Sequence, residues 1–226
     1  MIPLKDDNPT SITPVVVYAL IALNIAVFFH QMSLSRPQLE SFFQLYAVVP
    51  QELSSSLAGT PLDQPVSEVT TLVTSQFLHG GIMHIAFNML FLWTFGNNIE
   101  DRLGHLKFLI FYLVCGVLAA LTHWFFDMGS TIPTVGASGA IAGVMGAYIL
   151  RYPKAKIVTL LPLGIIFTTI RIPAYFFLGF WFVQQAISSV LSLGVSSEGG
   201  VAYWAHAGGF VFGAILGPVM GLLRKG

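Results

Sequence analysis

Charge is what this chain has least of: only 9% of its 226 residues are Asp, Glu, Lys or Arg, against roughly 25% in an ordinary soluble domain. Set beside 55% hydrophobic residues, that deficit excludes a water-exposed globule and makes lipid the solvent. No hydrophilic block is long enough to fold outside a bilayer, so a single membrane domain, 1–226, is the simplest organisation. A lone cysteine, Cys115, excludes a disulfide framework and a thiolate metal cluster. It lies in an apolar run and reads as helix packing. His-Glu-x-x-His is missing, and so is a pair of intramembrane aspartates, which disfavours zinc and aspartyl intramembrane proteases. Basic and acidic residues balance at 10 each, so net charge draws no anionic partner and nothing points to nucleic acid. No metal or other cofactor is called for.

Long apolar runs are what is there. A spanning helix needs about 20 mainly apolar residues, and six segments qualify or nearly so: 14–32, 72–96, 106–126, 138–150, 172–193 and 203–223. These predict an all-α polytopic membrane protein with both termini on one side. Lys5, Arg102, Lys107, Arg151, Lys154, Lys156, Arg171, Arg224 and Lys225 fall on that side, and Arg36 alone falls on the other. Cytoplasmic loops carry the excess of Lys and Arg, so the termini are expected in the cytoplasm, with external connections at 33–71, 127–136 and 194–202. The first span is too long for a signal peptide and no small-residue cleavage site follows it. The short N-terminus, without a transit-like stretch, favours a bacterial inner (cell) membrane. The loop 33–71 mixes Phe42, Phe43, Leu45 and Tyr46 with Pro and Ser, suggesting a structured, partly membrane-dipping element, with a plain solvated loop as the alternative. Segment 157–170 is apolar but interrupted by Pro162 and Gly164, and reads as interfacial or re-entrant.

Small residues mark where helices approach. Gly139, Gly143, Gly146 and Ala147 on the fourth span face Gly209, Gly213 and Gly217, at four-residue spacing, on the sixth. The same two helices carry Ser138 and His206, a hydroxyl and an imidazole that are costly in lipid unless used. At about 1.5 Å per residue, Ser138 lies ~20 Å above Arg151, His84 ~24 Å above Glu100 and His206 ~27 Å above Arg224. All three therefore reach one level in the outer third of the hydrocarbon layer. A serine nucleophile needs a base within hydrogen-bond reach, and His206 is at the right depth. With no Asp or Glu near that level, and Asp127 at a span end as a loop or cap residue, a hydrolase here would use a Ser-His dyad. His84 and Asn88, four residues apart on one helix face, are placed to donate to a developing oxyanion. The plain alternative is an interhelical hydrogen bond.

Gly136-Ala137-Ser138-Gly139, then Ala205-His206 with Gly209 and Gly213, and His79, His84 and Asn88 in the second span, resemble the rhomboid intramembrane serine proteases. Phe95-Gly96-Asn97-Asn98-Ile99-Glu100-Asp101 and Arg171-Ile172-Pro173-Ala174 are similar to the bacterial branch, and the resemblance runs from about Leu72 to Gly217. It implies a six-transmembrane-helix rhomboid-like bundle with Ser138 as nucleophile and His206 as general base and then acid. His84, Asn88 and the Ser138 backbone amide would form the oxyanion hole, Gly136 would leave room for substrate backbone, and His79 would be structural. Two positions depart from the family pattern. Thr70-Thr71 stand where many members have Trp-Arg, and Ala142 stands where an aromatic residue packs on the catalytic histidine.

The leading expectation is therefore an intramembrane serine endopeptidase acting on single-span or other transmembrane proteins from within the lipid bilayer. The resemblance implies small residues at the cut and helix-destabilising residues nearby. Tyr175, Phe176, Phe177, Phe180, Trp181 and Phe182 on the fifth span would line a lateral opening between the second and fifth helices, or else be lipid-facing bulk. A transporter or channel would need intramembrane charge or an inverted repeat, neither of which is found. A haem protein ligated by His84 and His206 would leave Ser138 and Asn88 unexplained. Oligomeric state is not legible in the sequence.

Overall fold

The computed structural model describes residues 1–164, 166–192 and 201–224. Six helices form the bundle: α1 (Val15–Ser33), α5 (Ile82–Leu103), α6 (His105–Phe126), α7 (Ser138–Arg151), α8 (Ala174–Leu191) and α9 (Tyr203–Val219). Helices α1, α6 and α8 are long and apolar enough to cross a membrane, and the bent pair ending in α5 makes a fourth such segment. The chain is an integral membrane protein. Short α7 is its axis, with every residue from Gly139 to Tyr148 buried. Cys115 on α6 is fully buried and packs against Gly143 of α7, a packing role. The small residues foreseen on α7 and α9 do bring the two backbones together: a Cβ added at Gly213 would sit 1.9 Å from the Gly143 carbonyl oxygen.

Two features were not foreseen: a break before α5 and a β-sheet. The helix expected across 72–96 is in two pieces. A short α4 (Glu68–Thr74) and a 3-10 turn (Ser75–Phe77) meet α5 at 82°, and α5 runs on to Leu103. Loop 33–71 is structured, as expected: it contains helices α2 (Arg36–Tyr46) and α3 (Pro50–Leu57), and the chain just after α2 is tied to the loop before Ser138 by a Val48–Thr134 backbone bridge. Segment 157–170, read as interfacial or re-entrant, is a β-hairpin. Strand β2 (Lys156–Leu163) pairs antiparallel with β3 (Ile166–Pro173), turning at Gly164 with φ +67°. The N-terminal strand β1 (Ile2–Asp6) adds to β2, giving a three-stranded sheet in the order β1-β2-β3. Extended backbone satisfies its polar groups across the ladder as a helix does along its axis, so the apolar segment needs no helical turn. Strand β3 runs directly into α8, whose N-cap is Pro173.

Carboxylates at the end of α5 fasten the N-terminal segment. Glu100, fully buried, accepts from the Val16 and Val17 amides at 2.9 and 2.8 Å, where the first N–H groups of α1 have no partner in their own helix. Asp101 accepts from the Ser11 and Ile12 amides. Asp6 accepts from the Tyr148 hydroxyl and from Asn98 Nδ2, and burial pushes its carboxyl above the ordinary value against the Tyr148 bond. Residues 194–200 of the external connection expected at 194–202 lie outside the described residues.

Candidate active site

Ser138 is the first residue of α7, and His206 lies one turn into α9. Because the two helices touch through glycine, both half-buried side chains meet across the seam, with Ser138 Oγ 2.8 Å from His206 Nε2. The other imidazole nitrogen, Nδ1, is 2.7 Å from Oε1 of Gln185 on α8. An amide oxygen only accepts, so Nδ1 donates to it, and Nε2 is left with a lone pair that accepts the Ser138 hydroxyl proton. This is the protonation pattern a general base requires. With both nitrogens engaged, His206 has none to offer a haem iron.

Helix α5 supplies the second group. His84 is half-buried and Asn88 is buried on the next turn of the same face. The Gly80 amide donates to His84 Nδ1 at 3.3 Å, which leaves the ring proton on Nε2. Both residues aim donors at Gly136: a Cβ built there would fall 2.8 Å from His84 Nε2 and 3.6 Å from Asn88 Nδ2. Gly136 has φ +125°, a conformation open essentially to glycine alone, and its amide donates to the Ser75 carbonyl at 2.9 Å. Asn88 Nδ2 is buried without a hydrogen-bond partner among the described residues. An unpaired buried donor costs about 1–3 kcal/mol, a cost that an incoming anionic oxygen would remove. The amides of Ser138 and its successor, at the open end of α7, have no partner within the helix. A cavity of about 970 Å³ opens over the cluster, lined by His84, Asn88, Ser138, His206, Phe43 and His123.

The remaining expected residues take other places. His79 is buried, and its backbone is clasped by Gln31 of α1, whose Oε1 accepts from the His79 amide while Nε2 donates to the His79 carbonyl. Its ring nitrogens have no hydrogen-bond partner, so it holds the turn before α5 through its backbone. Asp127 also borders the cavity, but its backbone closes the turn after α6 by hydrogen bonds with Trp124 and Ser130. Thr70 and Thr71 lie on α4, with Thr71 Oγ1 donating to the Glu68 carbonyl. Ala142 is fully buried, and ring support for His206 comes from α8 instead: the Trp181 ring lies 5.9 Å from the imidazole, inclined by 32°. The aromatic run on α8 is split, with Tyr175, Phe176 and Phe180 more than half exposed and Phe177 buried against Phe91 and Phe95 of α5. Sequence reasoning missed Gln185. The carboxamide pair Gln184-Gln185, one turn after Trp181 in a mainly apolar helix, was the available signal.

A family model described as "Rhomboid domain" matches residues 66–222, which include every residue of the cluster. Rhomboid protease GluP of Bacillus subtilis is 33% identical over 155 residues, covering 69% of this chain and 27% of that protein. Rhomboid protein 1, mitochondrial, of Saccharomyces cerevisiae is 28% identical over 207 residues, covering 89% of this chain and 52% of its own. Presenilin-associated rhomboid-like protein, mitochondrial, of Homo sapiens is 30% identical over 159 residues, or 66% of this chain and 38% of its own. The chain thus spans about a quarter to a half of the length of these curated relatives.

Proposed function

The chain belongs to the rhomboid family, and on that premise we propose that it is a serine endopeptidase cutting peptide bonds in or beside transmembrane segments of other membrane proteins. The observation that carries the reading is the 2.8 Å contact between Ser138 Oγ and His206 Nε2. In the proposed reaction Oγ attacks the scissile carbonyl carbon as its proton passes to His206 Nε2. The carbonyl oxygen becomes an oxyanion in the space beside Gly136, where His84 Nε2–H, Asn88 Nδ2–H and the Ser138 amide donate to it. The imidazolium returns its proton to the leaving amine, giving an acyl-serine and the first product. A water then attacks the acyl carbon as its proton passes to His206 Nε2, the acyl C–Oγ bond breaks to release the second product as a carboxylic acid, and the imidazolium returns the proton to Ser138 Oγ. A helical substrate hides its carbonyls in i to i+4 bonds, so the segment must unwind locally to present one.

Labelling with a fluorophosphonate tests the activated hydroxyl. The folded protein is expected to be modified at Ser138, and a folded sample left unlabelled would count against the mechanism. Asn88→Ala is expected to lower kcat by about 10²-fold with KM little changed; turnover at saturating substrate that matches the parent refutes an oxyanion role for Asn88. For location we propose cytoplasmic termini, a cavity opening to the external side and a bacterial inner membrane, supported by the one-sided distribution of Lys and Arg. Reporter fusions at Gly59 and Lys154 must then report opposite sides.

A further inference from the structure

A glutamine side chain buried in an apolar helix must find a partner or bear the cost of a stranded amide. Gln185 is 7% exposed, and its Oε1 meets His206 Nδ1 at 2.7 Å. Four residues earlier on the same face of α8, Trp181 lays its ring beside the same imidazole. One face of one helix therefore holds the back and the side of the ring, while Ser138 engages its front. Nothing in the family match or the serine-histidine pair requires this third group.

We propose that Gln185 is a positioning residue that sets the tautomer of His206 and stabilises its charged form during turnover. The inference rests on the serine-protease reading above. A neutral imidazole can carry its proton on either nitrogen, and only the Nδ1–H form leaves Nε2 free to take the Ser138 proton. With Oε1 against it, Nδ1 must donate; in the other tautomer the Nδ1 lone pair would face the amide oxygen. When Nε2 is protonated in turn, Nδ1–H becomes a charged donor, and its bond to the amide oxygen strengthens as charge develops. No proton leaves Nδ1 at any stage. Gln185 thus takes the place that a carboxylate occupies in a three-residue site, without introducing an ion into the membrane-embedded core.

Gln185→Met keeps the length of the side chain and removes the acceptor; Gln185→Glu restores an acceptor at the same reach. In liposomes with a single-span substrate, Gln185→Met is expected to lower kcat about 10- to 100-fold, the range found when the outer hydrogen-bond partner of a metal-bound imidazole is removed, with KM within about twofold of the parent. Gln185→Glu is expected to recover most of that loss. Nitrogen-15 spectra of the labelled ring give a readout independent of activity: the parent shows a protonated Nδ1 and a bare Nε2, and Gln185→Met a mixture of tautomers. Parent-like kcat in folded Gln185→Met overturns the proposal. So does a tautomer unchanged by that substitution, or equal impairment of the Met and Glu variants. Cleavage that survives Ser138→Ala would instead remove the serine-protease reading on which the proposal stands.

Discussion

Ser138→Ala is expected to reduce cleavage of a reconstituted single-span substrate to background, a fall in kcat of about 10⁴-fold or more, with the folded protein otherwise unchanged. The size follows from what is lost: removing Oγ deletes the atom that forms the acyl bond, and the remaining donors beside Gly136 can stabilise only attack by water. His206→Ala should match it, since an unassisted serine hydroxyl is a weak nucleophile at neutral pH. The double variant should be no worse than either single one, because the two residues act in one proton transfer and their effects do not add. Persistent cleavage by Ser138→Ala, in a preparation free of other proteases, would assign the chemistry to different atoms.

The second large effect is structural. Gly213→Leu is expected to prevent assembly of the bundle, seen as loss of the monodisperse species in mild detergent and of a cooperative thermal transition. The first added carbon would stand 1.9 Å from the Gly143 carbonyl oxygen. Relief cannot come from a rotamer, because both offending atoms belong to fixed backbone or Cβ positions. To reach an ordinary contact distance α7 and α9 must part by on the order of 1.5 Å. Overpacking of a tight core costs about 1–3 kcal/mol and occasionally more. Gly213→Ala brings the same first carbon with less behind it, so a destabilised but folded protein is expected. Even there the separation of the helices stretches the Ser138–His206 contact, and activity should fall before the melting temperature does. A leucine variant with parent melting and parent turnover would show that the close approach is dispensable.

Much of the site was legible because lipid makes polar atoms conspicuous. Ser138, His84, Asn88 and His206 stand out in apolar helices, and counting along each axis brings them to one level. Glycines at four-residue spacing on α9 gave the neighbouring pair of helices for the same reason: close approach leaves a trace in side-chain size. The hairpin was not legible, since an apolar run broken by Pro162 and Gly164 fits a strand pair or a dipping loop, and periodicity does not separate buried strands from other buried segments. Strand β1 has only five residues and gains its structure from pairing with a partner more than 150 positions away. The break before α5 was hidden because the chain from Leu72 to Gly96 stays mainly apolar on both sides of Gly80-Gly81. Gln185 was passed over because its partner lies on another helix, and the spacing within α8 says nothing of what faces it.

The shielding of α7 has a bearing on which bilayers suit this protein. Fourteen residues rise only ~21 Å, well short of a hydrocarbon core of about 30 Å, and a lipid-facing helix of that length would force the membrane to thin around it. Protein surrounds α7 on every side from Gly139 to Tyr148, so acyl chains never meet it and no mismatch arises there. One end is held by Tyr148 against Asp6 and the other carries Ser138. The distance of Ser138 from the Tyr148–Asp6 contact is therefore set by protein, as by a fixed ruler, and not by lipid. On the proposed orientation and activity, a thicker bilayer would leave that distance unchanged and place the serine farther from the outer face, so membrane thickness would select which stretch of a spanning substrate lies level with it.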